Sequence, residues 1–150
     1  MHTGKIFILT VLVLLLFTAC SEDDPVAPQE EHFEAIGVVL TTSGIEVASI
    51  LRGETDDTLY AEVGEVSDHL EVQFYNEDEQ IVEAPDDDEQ TLSWEIGNPD
   101  ILEVHQDDGH DGEFEFHLEG LAPGTTTLEL FIMHAGHADF RSGKFTVVVQ

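Results

Sequence analysis

Apolar side chains recur at every second residue in short runs, and that period of two constrains the fold more than any other feature of the chain. Leu70, Val72 and Phe74 alternate with Glu71 and Gln73; Phe114, Phe116 and Leu118 alternate with Glu113, Glu115 and Glu119; Leu92, Trp94 and Ile96 alternate with Ser93 and Glu95. Successive side chains of a strand point to opposite faces, so each run offers one face to a core and the other to water. That is the habit of antiparallel sheets. Helical spacing of apolar residues is nearly absent after the first twenty residues.

Turn chemistry separates the runs. Ala35 to Leu40 and Ile45 to Leu51 flank Thr41–Gly44 as a hairpin, and Thr58 to Val63 and His69 to Tyr75 follow around Gly64. An acidic loop from Asn76 to Gln90 leads to the Leu92 to Ile96 strand, and Asn98, Pro99 and Asp100 turn the chain into Ile101 to His105. Glu113 to Glu119, Thr125 to His134 and a last strand with Phe145, Val147 and Val149 complete the series. About eight or nine strands in some 120 residues fit one antiparallel β-sandwich of two sheets over residues 32–150.

The order of motifs carries a resemblance. Trp94-Glu95-Ile96, Asn98-Pro99-Asp100, Leu102-Glu103-Val104, Gly120-Leu121-Ala122-Pro123-Gly124-Thr125 and a valine-rich last strand follow one another. The stretch from about residue 58 to 150 resembles the bacterial immunoglobulin-like domains of group 2. The resemblance implies an all-β, immunoglobulin-like antiparallel β-sandwich, here with an extra N-terminal hairpin. It implies no chemistry, because such domains serve mostly as spacers, adhesion modules or scaffolds. Two stretches depart from the pattern, and both carry histidine: Gln106 to Gly112, an enlarged connection, and His134 to Ser142, which stands where the family has a plain hairpin.

The N-terminus reads as an export signal. Lys5 precedes an uncharged run from Ile6 to Phe17, then the small residues Thr18 and Ala19, then Cys20. The apolar run is too short for the roughly 20 residues of a lasting membrane helix. Phe17-Thr18-Ala19-Cys20 resembles the bacterial lipobox, which implies lipidation of Cys20 and anchorage in the cell envelope; ordinary cleavage would leave a free thiol. The acidic cluster Glu22, Asp23 and Asp24 behind it resembles the surface-export signal of some Gram-negative lipoproteins, which implies the outer membrane, on either of its faces. Residues 1–19 are then the signal peptide and 20–31, with Glu22, Asp23, Asp24, Pro25, Pro28, Glu30 and Glu31, an acidic tether. Cys20 is the only cysteine, so the folded domain contains no disulfide.

Charge excludes one class of partner. The chain has 33 acidic residues against four basic ones, a formal charge of −29. Such a field repels phosphate backbones, so no nucleic acid is expected among the partners. The expected partners are a membrane, through the lipid anchor, and possible envelope proteins.

Histidine is the remaining chemistry. Seven of the eight histidines follow residue 31: His32, His69, His105, His110, His117, His134 and His137. In Met133-His134-Ala135-Gly136-His137-Ala138-Asp139 the small residues Ala135 and Gly136 let the backbone turn, so that both imidazoles and Asp139 can face one ion. Zinc and copper accept imidazole nitrogen at about 2.0–2.1 Å and commonly take three or four protein ligands. His117, read as lying on a neighbouring strand across the Gly120–Gly124 turn, and His32, at the junction of tether and domain, are the expected further ligands. His117 belongs to the polar phase of its strand, so it converges with His134 only if the chain bulges near Met133. His105 and His110, around Asp107, Asp108 and Gly109, read as a hydrated turn, and His69 as surface.

The expected function is therefore an envelope lipoprotein that binds zinc or copper through histidines, for buffering or transfer. A structural or adhesive immunoglobulin-like module with incidental histidines is the alternative, and calcium held by the aspartate-rich turns is a third. No hydroxyl stands in a nucleophile-elbow context and no His-Glu-x-x-His motif occurs, so an enzyme is not expected.

Overall fold

A computed structural model describes residues 32–56, 58–86 and 89–150 of the protein. Cys20, the signal segment 1–19 and the tether 20–31 lie outside the described residues. Among these residues every regular element is a strand: β1 (Gly37–Thr42), β2 (Ile45–Leu51), β3 (Glu54–Asp56), β4 (Leu59–Ala61), β5 (Leu70–Tyr75), β6 (Ile81–Val82), β7 (Gln90–Ile96), β8 (Leu102–His105), β9 (Glu115–Gly120), β10 (Gly124–His134) and β11 (His137–Val149).

The strands form two sheets, β3-β2-β1-β5-β9-β8 with β6 paired to β5, and β4-β11-β10-β7. The sets β1-β5-β9-β8 and β7-β10-β11 follow the ABED and CFG order of an immunoglobulin-like sandwich. All pairings of named strands are antiparallel except β4 with β11. The N-terminal hairpin is β1–β2; β1 takes the A position beside β5, so β2, with β3 beyond it, is what the hairpin adds to the sandwich order. Two short strands have no counterpart in the alternation pattern. β3 is fully exposed and sits on the outer edge of β2, where its Glu54 and Asp56 discourage pairing with another chain; β6 interrupts the Asn76–Gln90 loop.

The inward phase of each strand builds the core that the alternation predicts: Leu70, Val72 and Phe74 from β5, Phe116 and Leu118 from β9, and Leu128, Leu130 and Ile132 from β10 are all buried. Trp94 on β7 packs against Phe116, the position where antibody domains place a tryptophan on a disulfide. With no disulfide, aromatic packing takes over at one end of the sandwich. Phe74 meets Phe33, Phe114 and Phe140 edge to face, with ring centres 5.0, 5.9 and 5.3 Å away.

The motif residues act as joints between strands. Asn98 folds its side-chain oxygen onto the Asp100 N–H, and its own N–H donates to the Thr126 hydroxyl at 2.8 Å. Gly120 passes so near the Glu62 carbonyl that a Cβ there would stand 2.5 Å from the oxygen.

One expectation is corrected here. His134 to Ser142 is not an insertion in place of a hairpin: β10 and β11 run on through it and are themselves the hairpin, joined by the two residues Ala135 and Gly136. Both have positive φ, 47° and 86°, the geometry of a type I′ turn, whose twist matches that of the flanking strands.

Candidate metal centre

The β10–β11 turn fixes the first two ligand positions. His134 and His137 are paired directly across the hairpin, so their side chains leave the same face. His134 continues the inward phase of Leu128, Leu130 and Ile132 and is buried, while His137 lies at the rim. Their ring centres are 6.0 Å apart.

A β-bulge supplies the third. Ile132 pairs with Phe140 and Met133 with Ala138, which leaves Asp139 as an extra residue on β11. The bulge lets two consecutive residues face inward: Phe140 enters the aromatic cluster, and the Asp139 side chain is fully buried beneath the imidazoles. The irregularity required near Met133 is present, and it delivers Asp139.

The fourth comes from the chain entering the sandwich. Phe33 packs on Phe74, which holds His32 over the hairpin end. His32 Nδ1 lies 2.8 Å and His137 Nε2 3.0 Å from Asp139 Oδ1; His134 Nδ1 lies 3.3 Å from Oδ2, which also accepts the Phe33 N–H at 3.4 Å. Three imidazoles thus converge on one carboxylate. One ligand atom from each of His32, His134, His137 and Asp139 lies within 4.8 Å of all the others.

Burial and charge compete at Asp139. Burial pushes its carboxyl up, but the hydrogen bond from His32, the Phe33 N–H and the positive charge of His32 and His134 outweigh it and hold Asp139 below the usual carboxylate range. His134 Nδ1 is buried without a hydrogen bond, because its approach to Oδ2 is out of line. A buried polar atom with no partner is costly, and an ion between the rings would satisfy it. Tetrahedral zinc sets its ligand atoms about 3.3 Å apart, so closure asks for a shift of roughly 1 Å. His32 and His137 can make that shift, since their side chains are about half exposed.

His117 is not part of this centre, and two physical reasons correct the expectation. The Gly120–Gly124 segment does not fold β9 back on β10 as a hairpin; it carries the chain from the first sheet to the second. His117 also lies between the inward residues Phe116 and Leu118, so it faces the outside of the first sheet, beside His69 and Asp107. His69 lies on the outer face as expected, its side chain 41% exposed, and it stacks there on the His117 ring. The signal for that pair lay in the register of β5 and β9, which a sequence does not print.

His110 in the Gln106–Gly112 connection binds Glu113 at 2.9 Å. That hydrogen bond raises its pKa, helped by the charges of Glu113, Glu115 and Asp107 against a small cost of burial. His110, Glu113 and Glu115 form a third group, carboxylate-rich and open to water.

No family model and no curated protein sequence matches the chain. Among solved structures it is similar to domains 4 and 5 of the S-layer protein SbsC, with 16% identity and a TM-score of 0.43 over 75% of this chain and 53% of that one. The chain therefore spans about half the length of that structure. The immunoglobulin-like assignment rests on strand order, and the site on its own geometry.

Proposed function

We propose that this protein is a lipid-anchored envelope protein that binds one zinc or copper(II) ion through His32, His134, His137 and Asp139, and buffers the ion or hands it on. One observation carries the reading: three histidines and a carboxylate from two distant segments converge within 4.8 Å, with a buried His134 Nδ1 that has no hydrogen-bond partner. Imidazole nitrogens with one hard oxygen suit zinc or copper(II); copper(I) prefers the thiolate and thioether sulfur that this set lacks. Four protein ligands fill a tetrahedral shell, the closed arrangement of holding sites, whereas catalytic zinc keeps a position open for water or substrate. That argues for binding and against an enzyme. His32 and His137, on the solvent side, give the ion a way in and out by ligand exchange.

The export signal and Cys20 support placement at a membrane, with the site directly after the tether. Binding then ties the last tether-proximal residue, His32, to the far hairpin.

The test is metal analysis of the protein purified without a histidine tag, followed by titration of zinc and copper into the apo form. The expected result is one tight equivalent, lost when His134 and His137 are both changed to alanine. Failure to bind either ion below about 10 μM, or tight binding unchanged in that variant, contradicts the reading and leaves a structural immunoglobulin-like module.

A further inference from the structure

The outer face of the first sheet carries a second histidine cluster, made of residues that the hairpin centre does not use. The β8–β9 register sets His105 opposite His117. Extending the β5–β9 register, Leu70 with Phe116 and Glu71 with Glu115, by one residue sets His69 opposite His117. Directly opposed residues share a face, so three imidazoles form one row across three strands. His69 stacks on His117 with ring centres 4.9 Å and planes 4° apart, and His105 stacks from the β8 side at 5.7 Å.

The tautomer of the central ring follows from its surroundings. His117 Nδ1 lies 3.0 Å from the Ser67 carbonyl oxygen, which can only accept, so Nδ1 carries the proton and Nε2 keeps a lone pair. That Nε2 is buried and has no hydrogen-bond partner. A ring fixed through one N–H by a backbone carbonyl, with the other nitrogen free to donate its lone pair, is how metal-ligating histidines are held. Asp107 Oδ1 stands 3.6 Å from Nε2, and ligand atoms of His69, Asp107 and His117 lie within 4.8 Å of one another.

We propose that His117, His69 and Asp107 form a second site for a divalent transition-metal ion, on the opposite sheet from the hairpin centre. His117 Nε2 is the anchoring ligand. Parallel stacked rings cannot both hold one ion in their planes, so the His69 side chain, 41% exposed and 3.2 Å from Glu115, turns out of its stack to reach the ion. The Asp107 carboxylate, 64% exposed, closes over it from the loop. Three protein ligands leave positions for water, so this site binds more weakly and exchanges faster than the four-ligand centre. His105 supports the His117 ring by stacking. The inference does not depend on the hairpin reading.

The experiment titrates zinc and copper(II) by calorimetry into untagged apo protein carrying His134→Ala and His137→Ala. One equivalent is expected to remain, and adding His117→Ala weakens it at least tenfold. The electron paramagnetic resonance spectrum of bound copper(II) then shows nitrogen coupling from one imidazole in place of two. Asp107→Asn, at an exposed position, lowers affinity several-fold without moving the thermal melt, which separates loss of a ligand from loss of fold. No binding below about 100 μM in the double variant, or binding indifferent to His117 and Asp107, overturns the proposal. His117→Ala alone removes only the weaker equivalent if both sites exist; a parent stoichiometry unchanged by the hairpin substitutions sinks the hairpin reading and leaves this one standing.

Discussion

Asp139 is the residue on which the hairpin centre turns, because it is both a proposed ligand and the acceptor that gathers the imidazoles. Its carboxyl is held below the usual range, so the folded state favours the ionised form. The sign follows from proton binding: the unfolded chain binds the proton more readily, so this stabilisation is present above the unfolded pKa of about 4 and is lost as pH falls through the folded value. Asp139→Asn is expected to lower the stability of the apo protein by about 1.5–3 kcal/mol at pH 7, the usual worth of hydrogen bonds to a charged group. The gap to the parent should narrow as pH falls below the ordinary carboxylate value of about 4, as read by denaturant unfolding across that range. Metal affinity runs the same way for a different reason. Imidazoles must be free of protons to bind, so affinity should fall as the solution is acidified.

The hairpin element shows what a sequence does and does not display. His134, Gly136 and His137 advertise a turn flanked by two ligands, because glycine at that spacing is what a tight reversal needs. Asp139 was visible as a carboxylate near them. The bulge that aims it was not, since a single unpaired residue depends on the partner strand, and the hairpin itself looked like an insertion. His32 is legible as a candidate ligand from its place at the domain boundary, but its capture depends on Phe33 finding Phe74, a contact between residues 41 positions apart. His117 was misplaced because alternation gives a strand its two faces but does not say which sheet it joins. The same logic yields a prediction at this scale. Ala135 holds φ at 47°, a conformation that costs an L-residue about 1–2 kcal/mol and that asparagine tolerates better. Ala135→Asn should therefore stabilise the hairpin by roughly 0.5–1 kcal/mol with zinc affinity unchanged, while Gly136→Val should destabilise it and weaken binding together. Thermal melts with and without zinc distinguish the two.

At the scale of the whole molecule, charge sets the conditions under which the fold and the sites work. Among the described residues Arg52 pairs with Glu79 and Arg141 with Glu129, and the 33 acidic residues of the sequence far outnumber its four basic ones. Self-repulsion of this kind is screened by salt, with a Debye length near 10 Å at 0.1 M and about 3 Å at 1 M. The melting temperature should rise between 0.01 and about 0.5 M sodium chloride; a flat or falling response would show that repulsion does not limit stability. The same field draws cations toward the surface, and the two imidazole clusters on opposite sheets are the sites proposed for transition-metal ions. The claim that joins these scales is that the β10–β11 hairpin and the entering chain hold an ion by three imidazoles and one carboxylate. X-ray absorption at the zinc edge, on His117→Ala protein loaded with one equivalent, tests it most directly. The account predicts three imidazole nitrogens and one oxygen at about 2.0–2.1 Å, and a shell of oxygens only, or one imidazole with waters, would contradict it.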